Sequence, residues 1–210
     1  MKKIIYSIVL TIALFFSMQL TVSAATLGLT TQDPTLGSSS IVVDYLQFGG
    51  DGDLASFGAG IDSSSGVTPT GFADLSFDAA FPLATPTIGA TGFFDIFDNN
   101  GQFLAGDLMA VGFTQDVVEL QFNNLIGSAA SSFGSSVLAL ITFDDALGLN
   151  PFNSFIDGDF YTASVSISNV VEDVGSASEP TILSIFILAL FLMGFTRLRH
   201  RNATVQATKG

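Results

Sequence analysis

The stretch Thr162–Val171 reads TASVSISNVV. Ala163, Val165, Ile167 and Asn169 fall on one side of an extended chain, and Thr162, Ser164, Ser166 and Ser168 fall on the other. Successive side chains of a strand point to opposite faces, so this alternation belongs to an antiparallel strand with one face buried and one solvated. An amphipathic helix needs apolar residues three and four apart, and no segment between Thr26 and Ser178 sustains that spacing.

Similar β-rich runs recur on either side, separated by Gly, Ser, Asn and Asp. They are Ile41–Phe48, Gly71–Phe77, Thr91–Phe97, Phe103–Phe113, Val117–Phe122 and Val137–Phe143. Within DIFDNNGQFLAGDL, the residues Asn99, Asn100 and Gly101 tolerate positive φ, which predicts a hairpin turn between flanking apolar strands. Seven or eight such strands predict an all-β domain over residues 25–175. The expected architecture is an antiparallel two-sheet sandwich of jelly-roll or Greek-key type. The 21 phenylalanines, against three Tyr and no Trp, are expected to fill its core, because Phe carries no polar group to satisfy.

Charge is distributed unevenly. The six basic residues are Lys2, Lys3, Arg197, Arg199, Arg201 and Lys209, and the one histidine is His200. Between Ala25 and Thr196 there is no Lys, Arg or His, whereas all nineteen acidic residues lie there. Such a polyanion is not a nucleic-acid binder, since phosphate contacts need cations. The same gap removes Ser-His-Asp triads, histidine metal sites and Schiff-base lysines from the body. The absence of cysteine removes disulfides, thiolate nucleophiles and Cys-ligated zinc. Paired carboxylates remain, at Asp144-Asp145 and Asp157-Gly158-Asp159, but nothing in the sequence sets them across a substrate. The reading is therefore a non-catalytic protein.

Calcium is the one cofactor that the composition leaves open, because oxygen ligands from Asp and Asn on turns suit it. The candidate ligands are Asp51 and Asp53 in GGDGDLAS, Asp98 and Asn100 in FDNNGQ, and Asp157 and Asp159 in IDGDF. Asp-Gly and Asn-Gly are equally ordinary turn chemistry.

The two ends carry targeting information. Lys2 and Lys3 precede an apolar run from Ile4 to Leu14, and Val22-Ser23-Ala24 offers small or tolerated residues for cleavage. This predicts a secretory signal peptide over 1–24, read by the Sec machinery and removed by signal peptidase after Ala24 or Ala25. An uncleaved N-terminal anchor is the alternative. Near the other end, SEPTILSIFILALFLMGFTRLRHR runs from Ser178 to Arg201. Pro180–Thr196 as a helix spans about 25 Å, at the short limit for a bilayer core. A transmembrane helix is expected over 181–196, with Arg197, Arg199 and Arg201 as the stop-transfer cluster and 202–210 as a short cytoplasmic tail.

An acidic Glu-Pro, a short apolar helix and an arginine cluster, in that order at the end of an exported chain without cysteine, resemble the PEP-CTERM sorting signal of Gram-negative bacteria. The family's Pro-Glu-Pro appears here as Ser178-Glu179-Pro180, followed by Thr181. Leu192-Met193-Gly194-Phe195 is similar to the Leu-Gly-Leu character of the family's helix. The resemblance covers the segment 176–201 and leaves the body out. It implies an inner-membrane-anchored precursor whose sorting motif is read by an exosortase-like membrane enzyme. The released protein would then reach the cell surface or extracellular matrix, in association with exopolysaccharide or biofilm. Two other expectations stand beside this one: a carbohydrate-binding module, and an adhesin that keeps its membrane anchor.

Overall fold

The strands Thr30–Phe48 (β1) and Phe160–Val171 (β9) are the first and last of the domain, and they pair with each other over most of their length, from Thr30↔Val171 to Asp44↔Phe160. That pairing closes the sheet. The computed structural model describes residues 26–171, and the chain divides after Val171. Between β1 and β9 lie β2 (Asp51–Gly60), β3 (Ser63–Ser65), β4 (Asp74–Pro82), β5 (Thr91–Asp98), β6 (Gly101–Thr114), β7 (Val117–Ile126) and β8 (Val137–Phe143). The order β2-β4-β5-β6-β7-β8-β9-β1 returns to β2 through a β1–β2 pairing, and β3 is an extra strand on β1. All the pairings are antiparallel.

The expectation of a two-sheet sandwich is therefore corrected. The domain is all-β, but it is one closed eight-stranded antiparallel barrel of meander type with one added strand. The inner face of a sandwich and the lumen of a barrel impose the same period-two pattern on each strand. Only the pairing of the terminal strands distinguishes them, and those are more than a hundred residues apart in the chain.

Alternation decides what fills the barrel. Inward positions include Tyr45 on β1, Leu54 on β2, Phe77 and Phe81 on β4, Phe94 on β5, Phe122 on β7 and Ile167 on β9, all buried. An eight-stranded barrel has an interior just wide enough for side chains to fill. Here large rings face positions without a side chain. Phe81 lies opposite Gly52, where a Cβ would come within 2.8 Å of the ring, and Phe94 lies opposite Gly106, where a Cβ would come within 3.0 Å. Two short elements close the ends. The helical turn α1 (Ala130–Phe133) touches β1, β6, β7 and β9 at one mouth and buries Phe133 completely. At the other mouth the β8–β9 loop inserts Phe152 and Phe155. Phe152 packs on Phe81 at 4.6 Å and Phe113 at 5.4 Å between ring centroids, and Phe155 packs on Tyr45 and Tyr161, both at 5.1 Å.

The predicted hairpin is formed by β5 and β6, with Asp98 paired to Gly101, and of its turn residues Gly101 carries the positive φ, 113°. The strand β2, by contrast, has no counterpart among the sequence-predicted runs. Apolar side chains inside and carboxylates outside reverse the pattern of a membrane-spanning barrel, which is apolar toward lipid. Among the described residues no helix is long and apolar enough to cross a membrane. The predicted signal peptide, the 181–196 helix and the 202–210 tail lie outside the described residues.

Candidate functional site on the outer wall

With the lumen filled, the chemistry of the domain stands on its outside. Strand register builds one continuous row there. Asp44 on β1 lies between Phe160 on β9 and Ala55 on β2; Ala55 faces Asp78 on β4; Asp78 faces Phe93 on β5; and Phe93 faces Asp107 on β6. A neighbouring row runs from Leu46 through Asp53 to Ala80. On the other side, Ser76 faces Asp95 and Asp74 faces Phe97. The wall from β1 to β6 is thus a checkerboard of carboxylates and apolar groups. Phe160 is 70% exposed, Phe48 65% and Phe93 44%.

The electrostatics follow from this placement. Burial, and then the negative charges of Asp78 and Asp44, hold the carboxyl of Asp53 above the ordinary aspartate range. Burial alone raises Asp95. One oxygen of Asp44 and one of Asp53 are shielded from solvent and find no hydrogen bond among the described residues. No cation occurs between Ala25 and Thr196 to offset them. Such a wall can take protons or positively charged groups and can offer rings to an apolar surface.

The sequence-predicted calcium ligands are placed as follows. Asp51 and Asp53 are two apart on β2 rather than on a turn; the turn is Gly49-Gly50. Asp98 uses both oxygens to shape the β5–β6 region, accepting from the backbone N–H of Asn100 and of Thr70, each at 2.8 Å. Asp157 accepts from the N–H of Gln47 at 2.8 Å, and the carbonyl of Asp159 accepts from the N–H of Tyr45 at 3.1 Å. These contacts hold the Phe152–Phe155 loop over the barrel mouth. The three pairs are not brought together, and among the described residues no three His, Cys, Asp or Glu side chains converge to hold a metal ion. The predicted sorting and processing residues (Ala24, Ala25, Ser178, Glu179, Pro180, Arg197, Arg199 and Arg201) lie outside the described residues.

Sequence reading missed Asp44, Asp78 and Asp95. Their signal is local and faint: in DLSFDAAF, Asp74, Ser76 and Asp78 alternate with Leu75, Phe77 and Ala79. Which carboxylates become neighbours is a matter of pairing. A second polar feature is an open cleft of about 140 Å³ between the β2–β4 connection and β3, lined by Ile61, Asp62, Ser63, Thr68 and Pro69 among others. The side-chain hydroxyl and the backbone N–H of Ser39 both donate to Asp62, and these bonds hold its carboxyl below the ordinary range.

These features define a class: a closed, side-chain-filled meander barrel whose outer wall carries its ionised groups. No protein-family model, no curated protein and no solved structure matches the chain.

Proposed function

We propose that the chain is an exported, non-catalytic protein of the cell surface or extracellular matrix. An exosortase-like enzyme sorts it through the Ser178–Arg201 signal, and it works in association with exopolysaccharide or biofilm. The observation that carries this reading is the division of the molecule into a lumen packed with side chains and an outer wall that bears unpaired carboxylates. A protein built this way meets its surroundings through its surface and stays hydrated by its net charge.

The test is intact-mass analysis of surface protein from a strain that carries an exosortase-like enzyme and from one that lacks it. Loss of the C-terminal segment in the first strain alone is the expected result. Surface protein extending to Gly210 in both would remove the sorting claim and leave the permanently anchored adhesin. The exposed Phe93, Phe97 and Phe160 favour carbohydrate binding as a second reading, since aromatic faces stack on sugars. A glycan array without a hit removes it.

A further inference from the structure

One carboxylate stands apart from the acidic wall. Glu119 points outward from β7, between the buried Val118 and Leu120. Across from it are Gly112 on β6 and Leu140 on β8, and the adjoining outward positions Gln121, Leu138 and Thr142 carry no charge. Of the other acidic groups on the flanking elements, Asp116 precedes β7 and is engaged by the N–H groups of Leu147 and Gly148. Asp107 on β6 lies opposite Asn123, toward the far end of β7. Glu119 is nonetheless occupied: the backbone N–H of Leu27 donates to its Oε2 at 2.6 Å. The segment ahead of β1 therefore reaches β7 on the outside of the barrel. It arrives beside the most deeply covered part of the outer wall, where the outward Leu138 is 3% exposed and Gln121 5%.

Signal-peptide removal, as read from the sequence, cuts after Ala24 or Ala25. Hydrolysis adds the hydroxyl of water to the departing acyl carbon and a proton to the nitrogen of Ala25 or Thr26. The α-amine so formed has an ordinary pKa of about 7.7–8.0 and gains a further proton at neutral pH. A chain advances at most about 3.6 Å per residue, so this ammonium lies one or two steps from the nitrogen already bonded to Glu119. We propose that the α-ammonium group created by this cut pairs with the Glu119 carboxylate and fastens the new N-terminus to β7. It is the one cation that the chain itself can supply to a body without Lys, Arg or His. A carboxylate has lone pairs for both the Leu27 N–H and the ammonium. Because one or two residues separate the cut from the barrel, cutting precedes docking: a peptidase needs the chain free on both sides of the bond it hydrolyses.

The inference rests on the export reading, and the experiment separates the two. The full chain is expressed with its own N-terminus, recovered as exported protein, and its N-terminal residue is fixed by intact mass. The α-amine is then titrated by pH-dependent acetylation, followed on the N-terminal peptide, in the wild type and in Glu119→Gln. The expected result is a pKa above the ordinary 7.7–8.0 range in the wild type. It should return to that range in Glu119→Gln, and in the wild type above about 0.5 M salt, where the pair is screened. The salt arm uses unaltered protein, so it holds even if the variant folds poorly. An N-terminus at Ala25 or Thr26 with an ordinary, salt-insensitive pKa overturns the ion pair and leaves export standing. Exported protein that still begins at Met1 overturns the cut and the ion pair with it; protein that still begins at Met1 and never leaves the cytoplasm overturns export as well.

Discussion

Two walls of the same barrel use the same strand pattern to opposite ends. From β1 to β5 the outward positions alternate carboxylates with exposed Leu46, Phe48, Phe93 and Phe97. On β7, β8 and β9 the outward Gln121, Leu138 and Ser168 are almost wholly buried, and the N-terminal segment reaches Glu119 there. Local sequence marks part of the difference, since β8 reads VLALITF, apolar on both faces, whereas β1 is half polar. Leu138 and Leu46 are both leucines on the outer face of a strand, yet one is 3% exposed and the other 36%. An outward apolar side chain contributes core-like stability only where another part of the chain lies over it.

The sharpest way to break this comparison is a pair of truncations. Leu138→Ala should cost about 2–4 kcal/mol in urea unfolding, the range of a buried leucine. Leu46→Ala should stay within about 1 kcal/mol, as an exposed site does. Equal costs would mean that the two walls are energetically alike.

A smaller effect of opposite sign is expected on the acidic wall. The folded pKa of Asp53 lies above the ordinary aspartate value of 3.8. The native state therefore binds more protons than the unfolded state as pH rises through this interval, and stability falls with rising pH. Asp53→Asn should raise the melting temperature at pH 7 by about 1–2 °C. The gain should shrink toward zero below pH 3.8, where aspartate is protonated in both states. A gain independent of pH would point to packing instead of charge.

The smallest expected effect is that of salt. Because no side chain between Ala25 and Thr196 is cationic, screening relieves the repulsion among many carboxylates and weakens at most the single pair proposed at Glu119. Raising salt from about 0.02 to 0.2 M at pH 7 should increase the melting temperature slightly, and by less in a variant with Asp44, Asp53 and Asp78 all replaced by Asn. A fall with salt would show that attractive pairs dominate.

Much of the fold was legible one strand at a time. In β9 the alternation of Ala163, Val165 and Ile167 with Thr162, Ser164 and Ser166 corresponds to buried and partly exposed positions. In β2 it was not. The inward residues there are Gly52, Leu54 and Ser56, and Leu54 alone is a large apolar group, too little to give a hydrophobic pattern. Gly52 and Ser56 are small where the rings of Phe81 and Phe77 lie opposite them. The pattern that would have revealed β2 is thus held by β4. The same exchange misled the reading of Asp51 and Asp53, which look like turn residues beside Gly50 and Gly52 but are strand residues facing outward. Phenylalanine was read as core filler, yet Phe48, Phe57, Phe72, Phe93, Phe97 and Phe160 are exposed. Composition counts rings, and strand parity decides which side they take.

By itself the sequence determined that the body is antiparallel β-structure, that it is anionic without internal ion pairs, and that it stands between two basic, apolar ends. These follow from period, charge and composition, which each segment carries alone. The tertiary structure decided that the sheet closes on itself, that Asp44, Asp53 and Asp78 become neighbours, and that Leu27 reaches Glu119. Each of these joins residues far apart in the chain, and their meeting depends on register and on the β1–β9 pairing, which no single segment encodes.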